Sequence, residues 1–132
     1  MARILVVDDE EMDRVLLRSI LESAGHELLF ASDGEGALKI LREEPLDLVI
    51  TDLAMPNFNG LRFIKEMRGE DFRHPVVAVS GWAADQLDLA EDYGADATLL
   101  KPIKRDELLD TVSTILDLPS GERRTDPWGH GR

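Results

Sequence analysis

Four short apolar runs in this chain end in residues able to do chemistry. RILVV, residues 3–7, leads into Asp8-Asp9, and LVIT, residues 48–51, leads into Asp52. PVVAV, residues 75–79, leads into Ser80-Gly81, and ATLL, residues 97–100, leads into Lys101-Pro102. A carboxylate at the tip of an apolar strand pays for desolvation, so it either caps the next turn or does work that needs a held acid. Three acids gathered at one place cannot all stay charged without compensation. A hard divalent cation resolves this. Magnesium takes oxygen ligands, keeps several waters, and suits one or two carboxylates plus phosphate oxygens. Lys101 can supply part of the same compensation in the metal's absence. Each piece taken singly also has a structural reading. Asp8-Asp9, ahead of Glu10-Glu11, suit a helix cap and a first turn favoured by the helix dipole. Asp52 can be a turn residue and Ser80 a cap hydroxyl, and a Lys-Pro pair means little alone. Joint placement at four strand ends is what carries the functional reading.

Those four ends meet only if the strands run parallel and lie side by side. The runs alternate with longer amphipathic stretches, which predicts strands over 3–7, 27–31, 47–51, 75–80 and 97–100. Helices are predicted over 11–24, 33–43, 59–68, 83–92 and 104–116. In the first helix Met12, Val15, Leu16, Ser19, Ile20 and Ser23 recur at helical spacing, and Gly25 ends it. In the last, Leu108, Leu109, Val112, Ile115 and Leu116 form the stripe expected to be buried. Five βα units imply parallel pairing through right-handed crossovers. A sheet covered on both faces explains why LVV, LVI and VVAV are nearly continuous apolar runs. The expected fold is a three-layer, doubly wound (βα)5 flavodoxin-like sandwich with strand order 2-1-3-4-5. In such sheets ligands bind outside the carboxyl ends of the strands. That order brings Asp8, Asp9, Asp52, Ser80 and Lys101 to one rim.

The chain has 132 residues, which suits a single domain, here 1–118, with enough apolar content for a core. PSGERRTDPWGHGR, at the end, is rich in Gly, Pro and charge without periodicity, so 119–132 reads as a mobile tail. The net charge of -12 argues against direct nucleic-acid binding and is compatible with cations or basic protein surfaces. Without cysteine there is no disulfide and no thiolate metal site. No apolar run approaches the roughly 18 residues that span a membrane, and MARILVV lacks the core of a signal peptide. A cytoplasmic domain is the expectation. His26, His74 and His130 are isolated, and none reads as a phosphohistidine or a metal ligand.

ILVVDDE (4–10), DLVITDLAMPNFNG (47–60), VVAVSG (76–81) and GADATLLKP (94–102), closed by an amphipathic helix, resemble the receiver domains of two-component response regulators. The resemblance covers about residues 2–118, with its motifs in order. It implies that Asp52 is the phosphoacceptor and that magnesium is held by Asp9 directly, by Asp8 partly through water, by Asp52, and by the backbone carbonyl of Ala54. It implies that the Ser80 hydroxyl bonds the phosphoryl group, that Lys101 pairs with it, and that Lys101-Pro102 is cis. The phosphoryl donor would be a phosphohistidine on a sensor histidine kinase or histidine phosphotransferase. For a stand-alone receiver, output would pass by contact to a downstream protein target, through the face of the fourth helix, fifth strand and fifth helix; a full-length regulator cut to its receiver would read identically. Such a domain is not an enzyme toward other substrates; it catalyses only its own phosphorylation and dephosphorylation.

The match departs from the family at Thr98, where receivers usually carry Tyr or Phe. Thr98 cannot fill the space of that ring, which weakens the local two-state coupling or shifts it to another side chain, with Trp82 a candidate by proximity. Ala54 and Trp82 occupy positions where the family tunes phosphate lifetime. Two alternatives compete. A haloacid dehalogenase-like phosphatase also uses a strand-end Asp, magnesium and a lysine, but carries a second Asp two residues on, where this chain has Ala54. A receiver with vestigial phosphorylation is opposed by the intact acid set.

Overall fold

A computed structural model describes residues 1–55, 58–81 and 84–117, those at 54, 55, 58 and 84–87 by backbone only. The five strands of the main sheet are β1 (Arg3–Val7), β2 (Glu27–Ala31), β3 (Leu48–Asp52), β4 (Val76–Ser80) and β5 (Ala97–Leu100). All neighbours pair in parallel in the order β2-β1-β3-β4-β5. The helices are α1 (Glu11–Ser23), α2 (Gly34–Glu43), α3 (Gly60–Gly69), α4 (Ala84–Tyr93) and α5 (Arg105–Asp117). This is the flavodoxin-like sandwich expected from the alternation of runs. The tail, 119–132, and Trp82 lie outside the described residues. No helix among the described residues is long and apolar enough to cross a membrane.

Side chains alternate across a strand with period two, so one apolar run feeds two cores. Leu5, Val7 and Val49 pack with Phe63, Ile64, Met67 and Leu38, on the side of α2, α3 and α4. Ile4, Val6, Leu48, Ile50, Val77, Val79 and Leu99 pack with Leu17, Ile20, Leu108 and Val112, on the side of α1 and α5. The same parity sets the functional ends. Asp52 follows Leu48 and Ile50 at even positions, and Lys101 follows Ala97 and Leu99 at odd ones. Both therefore fall on the α1/α5 side, while Ser80, in step with Val76 and Ala78, falls on the other.

Local signals set the boundaries. Asp33 caps α2, its Oδ1 accepting from the Gly36 amide at 2.7 Å. Asn59 caps α3, its Oδ1 accepting from Leu61 at 2.9 Å and Arg62 at 3.2 Å. Each satisfies helix-end donors that would otherwise lack partners. The cap at Asn59 differs from the expectation, which made it the first residue of its helix. A short antiparallel ribbon, Ala54–Met55 with Phe58–Asn59, was not foreseen. The apolar face of α1 also differs from the predicted stripe. Leu17, Ile20 and Leu21 are buried, whereas Met12, Val15 and Leu16 are 77%, 53% and 42% exposed. Both sets have helical spacing, and the side of the sheet on which α1 lands chose between them. In α5, Leu108, Val112 and Ile115 are buried as expected, with Leu109 and Leu116 packed against the same core.

The end of the sheet opposite the strand tips is fastened by Arg68, which is buried. Its guanidinium donates to the carbonyls of Phe72, His74 and Gly94 at 2.8–2.9 Å and to Asp96 Oδ2 at 3.3 Å. Asp96 in turn accepts from the Val76 amide at 2.9 Å. The C-terminal end of α3, the start of β4 and the turn before β5 are thereby joined through one buried cation. His74, in the loop before β4, is half-buried; burial, with the Arg68 charge, holds its pKa below the ordinary histidine value.

Candidate functional site

Asp8, Asp52 and Ser80 reach the carboxyl ends of β1, β3 and β4 almost fully withdrawn from solvent. Lys101 follows β5, and its backbone amide donates to the Ser80 carbonyl at 2.8 Å. That bond continues the β4–β5 ladder one step and points the lysine over the tip of β3. Its ammonium lies 2.9 Å from Asp52 Oδ2, 2.6 Å from Asp13 Oδ2 and 3.7 Å from Asp8 Oδ2. The Lys101-Pro102 peptide is cis, as the resemblance implies. Gly81 borders the lysine stem: a Cβ there would rest 3.7–3.8 Å from Lys101 carbons, an ordinary contact.

Asp8 is tied on both its groups. Its Oδ1 accepts from the Glu10 amide at 2.9 Å, and its carbonyl accepts from Arg14 at 2.6 Å. The β1–α1 turn is thus held from both sides, which sets the direction in which α1 leaves the sheet. Burial raises the Asp8 pKa to about 6; the Glu10 amide and the Lys101 charge oppose the rise, and the charges of Asp52 and Asp13 add to it. For Lys101, burial alone would lower the pKa, but its bonds to Asp13 and Asp52 and the charge of Asp8 hold it above the ordinary lysine value. The ammonium is therefore a permanent charge in the pocket.

One carboxylate oxygen from each of Asp8, Asp13 and Asp52 lies within 4.8 Å of the others. Asp9, half-buried and next in the chain, is not in that group. Asp13 was not foreseen. It sits in the first turn of α1, where an acid is favoured by the dipole in any case, so its type and place did not separate it from Glu11. Three hard oxygen donors this close suit a small divalent cation. Ala54 begins the short ribbon just beyond β3. Thr98 lies opposite Ala78 on β5 and is half-buried.

The raised Asp8 pKa makes a stability prediction. Between the ordinary carboxylate value and about 6 the folded chain binds more protons than the unfolded one, so stability falls as pH rises through that window. The full penalty is present above it. Asp8→Asn should therefore be more stable than the natural protein at pH 7.5, by about 1–2 kcal/mol once the lost attraction to Lys101 is set against the gain. The advantage should vanish near pH 4. Urea unfolding at the two pH values measures both; equal stability at both would refute the account.

Residues 4–113 match the family described as response regulator receiver domain. The sensory/regulatory protein RpfC of Xanthomonas campestris is 37% identical over 118 residues, covering 86% of this chain and 16% of RpfC. The sensor histidine kinase RcsC of Salmonella typhi is 37% identical over 115 residues, covering 86% of this chain and 12% of RcsC. This chain thus spans a small part of either relative's length. Among solved structures, the response regulator protein TrrA of Thermotoga maritima, in complex with Mg2+ and BeF, superposes with a TM-score of 0.78 at 36% identity, covering 86% of this chain and 98% of that one. Parallel order, an acid pocket at the strand tips and a match across most of the chain lead to one conclusion: this chain belongs to the response regulator receiver domain family, the receiver modules of two-component systems.

Proposed function

We propose that Asp52 accepts a phosphoryl group from a phosphohistidine on a sensor histidine kinase or histidine phosphotransferase, and that the chain works as a switch read out by protein contact. The observation that carries this reading is the Lys101 ammonium held 2.9 Å from a buried Asp52 carboxylate among converging acids. An Asp52 oxygen attacks phosphorus in line as the bond from phosphorus to the histidine nitrogen breaks. The electron pair leaves with the imidazole, and an acyl phosphate forms on Asp52. Catalysis of such a transfer is mostly positioning and charge neutralisation. Lys101 pairs with one phosphoryl oxygen and the Ser80 hydroxyl donates to another. Asp8, Asp9, Asp52 and the Ala54 carbonyl would hold magnesium, with Asp13 among the same oxygens. When bound, the ion offsets charge on the phosphoryl group.

The relatives support a kinase or phosphotransferase donor, since one is a sensor histidine kinase. Phosphatase turnover on small esters is disfavoured because Ala54 stands where a second acid would serve as acid/base. The domain acts in the cytoplasm on this reading and neither enters a membrane nor contacts nucleic acid directly. Its net charge of -12 favours basic protein partners.

Incubation with magnesium and acetyl phosphate should give one phosphoryl adduct by intact mass, labile to base and hydroxylamine. Protein that stays unmodified with both in excess refutes the reading. Magnesium affinity should also depend on pH. The ion competes with the proton on Asp8, whose pKa is about 6, so affinity should be flat above pH 7. Below pH 6 it should fall by about tenfold per unit. Calorimetric titration checks this, and unchanged affinity at pH 5 would remove Asp8 from the site.

A further inference from the structure

We infer that Asp13 is a positioning residue for Lys101: its carboxylate holds the ammonium over the Asp8–Asp52 pocket, so that the lysine keeps a fixed partner when it gives up Asp52 for an arriving phosphoryl group. The inference rests on the phosphoacceptor reading of Asp52. Its geometry stands without that reading.

The contact to Asp13, at 2.6 Å, is the shortest of the three that Lys101 makes with carboxylates; those to Asp52 and Asp8 are 2.9 and 3.7 Å. A lysine is a compact charge on a flexible four-carbon stem with three rotatable donors. The side chain retains 22% of its exposure, so solvent competes for the head group. One anchor is therefore needed to hold it at the pocket. Asp52 cannot serve throughout, because the chemistry turns its carboxylate anion into an acyl phosphate. Asp13 is unaltered by the reaction. Three N–H donors let the ammonium keep Asp13 while exchanging the Asp52 oxygen for a phosphoryl oxygen.

The anchor is itself fixed. Leu17, Ile20 and Leu21 bury α1 against the sheet. Arg14, next to Asp13, donates to the Asp8 carbonyl at 2.6 Å, and the Glu10 amide donates to Asp8 Oδ1 at 2.9 Å. The first turn of α1 is thereby locked to the strand that supplies Asp8. A dipole-favoured acid needs no distant partner and would be expected to stay solvated, as exposed Glu11 in the same turn does. Asp13 instead is half-buried and reaches an ammonium 88 residues away in sequence.

The test has two arms. In metal-free protein, nitrogen-15 NMR of the lysine ammonium groups should show a protected Lys101 resonance that Asp13→Ala loses and Asp13→Asn, which keeps an acceptor oxygen, retains. With magnesium and acetyl phosphate, Asp13→Ala should slow adduct formation by about tenfold, and Asp13→Asn by no more than about threefold. In a Lys101→Met background Asp13→Ala should add no further loss, since it acts through the lysine. A Lys101 resonance unchanged in Asp13→Ala overturns the inference. So does phosphorylation of Asp13→Ala at or above the natural rate, which would make Asp13 a competitor for the lysine. If the natural protein forms no adduct, the Asp52 reading fails; if it does and only the Asp13 variants behave alike, the positioning role alone fails.

Discussion

Asp52→Ala should form no phosphoryl adduct on the time scale that saturates the natural protein, a loss of about a thousandfold or more in rate. On the proposed reading the variant lacks its nucleophile, and its acidic neighbours are held elsewhere. Asp8 and Asp13 have oxygens within 4.8 Å of that of Asp52, but Asp8 is pinned by Glu10 and Arg14 and Asp13 by Lys101. Neither is free to take the in-line position proposed for Asp52. The same substitution should not unfold the protein. It removes one of three crowded acids and leaves Lys101 with Asp13 and Asp8, so the midpoint of urea unfolding should be unchanged or higher. Intact mass and urea unfolding together separate the two effects. Equal labelling of the variant would move the phosphoacceptor elsewhere.

Gly60→Ala should produce the largest loss of stability, about 3 kcal/mol or more, with a slower phosphorylation to match. A Cβ on Gly60 would stand 2.2 Å from the Asp52 carbonyl oxygen, 2.6 Å from the Leu53 Cα and 3.0 Å from the Asp52 carbonyl carbon. All three are backbone atoms, so no flexible side chain can swing away. The Gly60 amide also donates to the Leu53 carbonyl at 3.0 Å, which draws the start of α3 onto the end of β3. Relief of the clash must break that bond, shift α3 or bend the strand tip that holds Asp52. A displacement of about 1 Å at a reacting group can cost a hundredfold in rate. Gly69→Ala, at the other end of the same helix with nothing within 4 Å of its added Cβ, should be neutral or slightly stabilising and serves as the control. Similar urea midpoints for the two variants would show that the Gly60 contact is not limiting.

Much of the site could be read from residue order because strands end where polarity changes. Asp8, Asp52, Ser80 and Lys101 each follow an apolar run, and a parallel sheet carries all such ends to one rim. Asp13 could not be read in this way. It lies within a helix, where an acid in the first turn has a local electrostatic reason to exist. Only the angle at which α1 leaves β1 brings it to Lys101. The exposure of Met12, Val15 and Leu16 has the same origin, because α1 carries apolar residues on more than one face and the sheet covers only one of them. The grouping of Asp8 rather than Asp9 with Asp52 also depended on backbone direction at the turn, which two adjacent identical residues do not encode.

Taken alone, the order of residues determined the alternation of strands and helices, the parallel sheet and the acids and lysine at its rim. Those follow from hydrophobic period and from the chain's need to bury both faces of the sheet. Tertiary packing decided which carboxylates share the ammonium of Lys101, which face of α1 meets the core, and why position 60 admits no side chain. These are distances between atoms far apart in sequence. They are set by how helices seat on a twisted sheet, to within an ångström that no local pattern specifies.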